Sequence, residues 1–176
     1  IVQENKSRKH ITAAYAEVSG TTTIDLPSGP FTLTTRADRI NIRVDRKVDI
    51  IEYKTGALPT TPKILNGSKP QLLLEALIIL NNGFEEIDTR AINSIVSTQL
   101  SGALTAGNRR TIEKGISTKA TELLSTIIEL IESFDNENTP YYFVPHNDFA
   151  PQYNEFEHLA RMKEWIALSQ KQRTEE

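Results

Sequence analysis

The run ADRINIRVDRKVDIIEYKTG, residues 37 to 56, constrains the fold more than any other stretch of the chain. Two alternating, β-branched segments flank the short polar turn Asp45-Arg46-Lys47, the pattern of a hairpin. Side chains alternate along a strand, so the even positions share a face: Asp38, Ile40, Ile42 and Val44, then Val48, Ile50, Glu52 and Lys54. A three-residue turn sets Val44 opposite Val48, Ile42 opposite Ile50, Ile40 opposite Glu52 and Asp38 opposite Lys54. An even-length connection would bring this apolar face against the polar one, so the pattern selects an odd loop. The face is then aliphatic near the turn and carries Asp38, Glu52 and Lys54 at its far end. Burying an unpaired charge is costly, so these three charges need partners.

Two carboxylates brought close raise each other's proton affinity. A hard divalent cation such as Mg²⁺ relieves that repulsion, using one or two carboxylates with waters and phosphate oxygens completing the shell. A protonated lysine beside it stabilises developing phosphoryl charge or positions an attacking water. The chemistry this implies is metal-assisted phosphodiester hydrolysis. The competing reading of Glu52 and Lys54 is a solvated surface pair. The aliphatic residues of the same face, and Asp38 at matching parity, count against it.

Around the hairpin the chain reads β-β-β-α-β-α with a closing helix. AYAEVSGTTTIDLP is a first strand ended by Pro27, and SGP is a turn. ALPTTPKILNG reads as a loop. Pro70 suits the first position of a helix through QLLLEALIILNNG, stopped by Gly83. RAINSIVSTQLSG is a strand and ALTAGNRRTIEKG a polar loop. STKATELLSTIIELIESF is amphipathic at helical spacing, YYFVP is extended, and EFEHLARMKEWIALSQ is a last helix. Residues 3–10 read as the tail of a helix. The expected fold class is α/β, a mixed β-sheet flanked by α-helices. A length of 176 residues suits a single domain spanning 1–176, and an opening on Ile1 suggests a fragment of something longer with its first helix cut short.

Composition excludes several classes. With no cysteine there is no disulfide and no cysteine-ligated zinc or iron–sulfur cluster in this stretch, which fits a cytoplasmic setting. A net charge of −3 gives no global pull on nucleic acid, so DNA contacts must be local. The apolar run from Leu72 to Leu80 contains Glu75 and is far shorter than the ~20 residues that span a bilayer, so no membrane partner is expected. No phosphate loop of the G-x-x-x-x-G-K-[ST] type occurs, which places any ATP use outside the chain.

The ordered set ADRIN, EYKTG and KPQLLLEA resembles the RecB-like nucleases, a branch of the PD-(D/E)XK superfamily with a restriction-endonuclease-like fold. With NGSKPQLLLEALIILNNGF and EFEHLARMKEW, the likeness is greatest to AddB-type C-terminal nuclease domains and covers roughly residues 15–170. The resemblance implies Asp38 and Glu52 as metal ligands for Mg²⁺ or Mn²⁺, the Tyr53 carbonyl as a third, and Lys54 as the water-positioning base. Gln71 would stand near metal and DNA, where the exposed amides of a helix start also favour phosphate. It implies a DNA exonuclease acting on single-stranded ends in double-strand break repair, beside an AddA-like helicase–nuclease subunit. The alternative is a catalytically inactive DNA-binding or scaffold domain of the same fold. The chain departs from the pattern with Asn41 for an aspartate, Glu52 for an aspartate and Glu75 for a tyrosine. The family's acidic or histidine residue on a preceding helix has no match, unless His10 serves.

Arg36 shares the parity of Asp38 and is the DNA-binding candidate, while Arg39 and Arg43 lie at odd positions and read as a solvated face. Glu17 matches a frequent acid of the first strand, with a plain surface glutamate as the rival reading. Lys6, Arg8, Lys9 and His10 form a second basic cluster suited to phosphate contacts. Tyr141, Tyr142 and Phe143 suit stacking on bases or, more simply, a packed strand. His146 and His158 lack ligand spacing, and Trp165 reads as core.

Overall fold

The computed structural model describes residues 10–101 and 107–140. The chain divides into two compact units, Ile1–Asp135 and Asn136–Glu176, where the sequence reading runs one domain through 1–176. The second is described only over 136–140, a turn in which the Thr139 N–H donates to the Asn136 carbonyl at 2.9 Å. Residues 3–9 of the helix tail expected at 3–10, YYFVP and the closing helix lie outside the described residues, as do Tyr141, Tyr142, Phe143, His146, His158 and Trp165.

The first unit runs β1 (Ile11–Leu26), β2 (Gly29–Arg43), β3 (Val48–Lys54), α1 (Thr61–Leu65), α2 (Gln71–Leu80), β4 (Ile92–Gln99), β5 (Arg109–Ile112) and α3 (Ile116–Asp135). The five strands form one sheet in chain order. Pairing is antiparallel except between β3 and β4, which run parallel and therefore need the long crossover that contains α1 and α2. This mixed sheet with flanking helices is the restriction-endonuclease-like α/β fold expected from the sequence. Among the described residues no helix is long and apolar enough to cross a membrane.

The central strand β3 is buried on both faces from Val48 to Glu52. Ile40, Val48, Ile50 and Ile95 meet Leu72, Leu73, Ala76 and Leu77 of α2, with Ile116 and Ala120 of α3 joining the same core. Leu, Ala and Glu are strong helix formers, and seven of the ten α2 residues are buried. The helix stops because Asn82 takes a left-handed φ of 54°. The Gly83 N–H then returns to the Ile78 carbonyl at 2.8 Å and the Asn82 N–H to Ile79 at 3.0 Å, a Schellman closure. Gly83 is required there for a second reason: a Cβ would lie 2.1 Å from the Thr21 carbonyl oxygen. The Thr21 N–H in turn donates to the Gly83 carbonyl at 2.8 Å, tying the end of α2 to β1.

Several expectations need correction. The β2–β3 hairpin pairs Ile42 with Val48 and Ile40 with Ile50, two residues out of the expected register. Its turn is longer, closed by the Arg43 N–H on the Lys47 carbonyl at 2.8 Å with Arg46 at φ 59°, and Val44 stands 63% exposed instead of facing Val48. A slip by two preserves parity, so the shared face survives while the partners change. Residues Arg109–Ile112, expected as loop, add an edge strand to β4, and Thr61–Leu65, also expected as loop, form a short helix with Pro62 in its first turn. Pro70 is the N-cap of α2 rather than its first residue.

Both long strands also break their alternation. Tyr15 and Val18 both pack on the core, and so do Ala37 and Ile40, spacings that regular alternation forbids. Glu17, at φ 54°, lies between the first pair, and no ladder partner joins it to β2 while its neighbours Ala16 and Val18 pair with Arg39 and Ala37. The inward face of both strands therefore switches between the Ala16–Arg39 and Val18–Ala37 pairs.

Candidate active site

The β2–β3 ladder ends at Arg39 and Ile51, in a register whose continuation would set Asp38 opposite Glu52 rather than Lys54. Beyond the ladder the Asp38 Oδ2 accepts the Tyr53 N–H at 2.8 Å, so the carboxylate caps a backbone donor of the central strand. Glu52 is 3% exposed. Its Oε1 pairs with the Lys54 ammonium, and its Oε2 accepts from Ser97 Oγ at 3.3 Å. Ser97 stands opposite Glu52 in the parallel β3–β4 register. The Lys54 Nζ also donates to Gln71 Oε1 at 3.2 Å, and Gln71 Nε2 donates to Glu75 Oε1 at 3.3 Å. A chain of contacts thus runs Ser97, Glu52, Lys54, Gln71, Glu75, from β4 across β3 to the first turns of α2.

Asp38, Glu52, Lys54 and Gln71 are therefore brought to one place by these contacts. The side chain of Tyr53 is on the other face, its hydroxyl accepting from Arg39 at 3.4 Å, so only its backbone belongs to the site. Arg39 also donates to Asn41 at 2.8 Å, and Arg43 approaches Asp49 at 3.6 Å, which places these arginines on the face away from the cluster. Arg36 is not brought in. It is two-thirds exposed and pairs with Glu17 at 3.0 Å, because the inward face switches between Ala37 and Asp38 and the shared parity no longer means a shared face. His10 is exposed at the start of β1, its carbonyl accepting the Val44 N–H at 2.9 Å.

Two residues of the cluster carry more weight than their sequence context alone assigns them. Ser97 is a hydroxyl at a core-facing position of a strand, a signal visible in SIVST. Glu75 is the lone acid in a helix that is apolar apart from Gln71 and is fully buried, with its Oε2 lacking a hydrogen-bond partner among the described residues. Burial pushes its carboxyl up to about 7; the Gln71 hydrogen bond opposes this, Glu52 and Asp38 add to it, and Lys54 again opposes it.

The donors at the site are all oxygen, and among the described residues no group of three or more His, Cys, Asp or Glu side chains is arranged to hold a metal ion. Two carboxylates with a backbone carbonyl suit a hard cation that keeps water or phosphate in its remaining positions. The residues present fit such an ion, and the Lys54 ammonium on Glu52 marks the spot as one that attracts positive charge.

An ordered acid, Glu-x-Lys and helix-borne glutamine at the end of a central strand are characteristic of one nuclease group, and its sequence pattern matches residues 2–148. The chain belongs to the PD-(D/E)XK nuclease superfamily. An uncharacterized protein of Rickettsia typhi, RT0391, is 31% identical over 101 residues, covering 57% of this chain and 11% of that protein. An uncharacterized protein of Rickettsia bellii is 36% identical over 84 residues, covering 48% of this chain and 10% of its own length. The chain thus spans about a tenth of the length of these curated relatives. In shape it is similar to the crystal structure of SSO0001 at a TM-score of 0.43 and 16% identity, over 73% of this chain and 56% of that one. The members of this superfamily typically use divalent metal ions, in keeping with the oxygen donors described above.

Proposed function

We propose that this PD-(D/E)XK domain hydrolyses DNA phosphodiester bonds, with Mg²⁺, replaceable by Mn²⁺, held by Asp38, Glu52 and the Tyr53 carbonyl. The observation that carries the reading is the Asp38 carboxylate fixed on the Tyr53 N–H, directly beside the Glu52–Lys54 pair. When bound, the divalent ion supplies Lewis-acid polarisation of the phosphate and neutralises charge on its oxygens. Lys54 has three N–H donors, of which one is given to Gln71 and one to Glu52, leaving the third to orient the attacking water or a phosphate oxygen. Gln71, held by Glu75, fixes the direction of the ammonium. The N-terminal amides of α2 and the helix dipole favour the approach of phosphate on that side. Water attacks phosphorus, the bond from phosphorus to the 3′-oxygen breaks, and the water's protons are shared between the leaving oxygen and solvent.

The resemblance of ADRIN, EYKTG and KPQL to RecB-like and AddB-type domains supports a finer assignment. In it the chain is the exonuclease part of a cytoplasmic helicase–nuclease for double-strand break repair, receiving single-stranded ends from an AddA-like subunit. The test is incubation of the protein with single-stranded DNA in Mg²⁺ or Mn²⁺, beside Asp38→Ala. Shortening of the DNA by wild type and not by the variant supports hydrolysis. DNA that is retarded but never shortened by wild type points instead to the inactive binding or scaffold domain.

A further inference from the structure

The cluster opens into a pocket of about 740 Å³ whose far side has no part in the proposed reaction. Glu52, Lys54 and Gln71 line one end. The wall is aliphatic, built from Leu33 of β2 and from Leu58 and Pro59 of the loop before α1. Lys63 and Lys69, both exposed, also stand at its rim. The Lys69 N–H donates to the Lys63 carbonyl at 2.9 Å, which holds the two lysine backbones together on that rim. No carboxylate pairs with either lysine among the described residues.

We propose that this pocket is a subsite for one unpaired nucleotide of a single strand, its base against Leu33, Leu58 and Pro59 and its neighbouring phosphates on Lys63 and Lys69. The inference rests on the nuclease reading of the adjoining cluster and adds the strand's path away from it. Three features select this occupant. The volume falls in the range of about 300–1,000 Å³ that takes a compact organic ligand. Two cations on the rim, without a carboxylate partner among the described residues, complement a phosphodiester backbone. The aliphatic wall needs an exposed base, and a duplex would have to unstack one at a cost of a few kcal/mol, whereas a single strand offers it freely. Among the described residues no aromatic ring lines the pocket; Ala57, Ile64 and Leu74 add to the aliphatic wall, which would contact a base with little regard to its identity, and Thr34, Thr35 and Thr60 also line it.

The experiment is equilibrium binding of a fluorescent oligothymidylate, and of a duplex of equal length, to the full chain in EDTA across a salt series. Single-strand contacts change log K against log salt by about 0.7 per phosphate, so Lys63→Gln with Lys69→Gln should flatten the slope by about 1.4. Leu58→Asp should weaken the single strand at least tenfold while changing the duplex little. An unchanged salt slope in the double variant overturns the phosphate path, and equal weakening of single strand and duplex by Leu58→Asp overturns the unpaired base. Because no step is catalytic, both readouts stand apart from hydrolysis: absence of cleavage in Mg²⁺ by wild type would remove the nuclease reading and leave the subsite intact.

Discussion

Replacing Glu75 by Gln should make the protein more stable at alkaline pH and leave it nearly unchanged at acid pH. The Glu75 side chain is fully buried, one of its oxygens lacks a partner among the described residues, and its carboxyl is pushed from 4.5 up to about 7. Between those values the folded protein holds a proton that the unfolded chain has released. Stability therefore declines as pH rises through the window and is greatest below it. The interval from 4.5 to about 7, at about 1.36 kcal/mol per pKa unit, corresponds to about 3 kcal/mol. A glutamine in its place would keep an acceptor for the Gln71 amide and a side chain of the same shape, but it has no proton to lose. Urea unfolding of wild type and Glu75→Gln in EDTA, at pH 4 and pH 8, isolates the residue because all other titrations cancel in the difference. The gap between the two proteins should open by about 3 kcal/mol from acid to alkaline pH. A gap that stays constant would refute the argument, since it would mean that the buried carboxyl ionises as freely in the folded protein as in the unfolded chain.

Lys54→Ala should lower cleavage of single-stranded DNA about 100- to 1,000-fold, the usual loss for one preorganised electrostatic donor, while the circular dichroism spectrum is retained. Asp38→Asn keeps an acceptor for the Tyr53 N–H and should unfold near the wild-type midpoint with cleavage lost, whereas Asp38→Ala should lose cleavage and also about 1–3 kcal/mol of stability, read by chemical denaturation. Gly83→Ala forces a Cβ to within 2.1 Å of the Thr21 carbonyl, a backbone atom that cannot swing aside. It should cost about 3 kcal/mol, the upper end for overpacking, and a melting temperature within a degree of wild type would contradict that contact.

The parts of the fold that follow from periodicity were legible. The alternation of INIRV and VDIIEYK fixes which residues share a face, and the apolar run LLLEALIIL fixes a buried helix, so Glu52, Lys54 and Gln71 are assembled where the pattern puts them. What periodicity does not carry is register and phase. Val44 is β-branched and apolar yet exposed, so its side chain offers no reason to extend the turn by two residues. Glu17 at φ 54° is a non-glycine residue in a conformation few side chains favour, and nothing in AYAEVSG announces it. That single feature misplaced Arg36, whose parity promised the site and whose guanidinium instead pairs with Glu17. Strand β5 is four residues long and exists by pairing with β4, a non-local contact that outweighs its polar composition.

The same irregularity that hid the site also builds it. Regular alternation through Ala37 and Asp38 would carry the β2–β3 ladder onward and give the Tyr53 N–H a backbone carbonyl. The switch of face beside Glu17 ends the ladder at Arg39 and leaves that part-buried donor to be satisfied otherwise. A side chain must supply the acceptor, and Asp38 is the residue whose carboxylate reaches it. One carboxylate oxygen thereby serves the backbone of the strand that also carries Glu52 and Lys54. The acid is thus positioned by an unmet hydrogen-bonding requirement of the central strand and not by packing, which is why a neutral acceptor at the same position preserves the fold and removes only the charge.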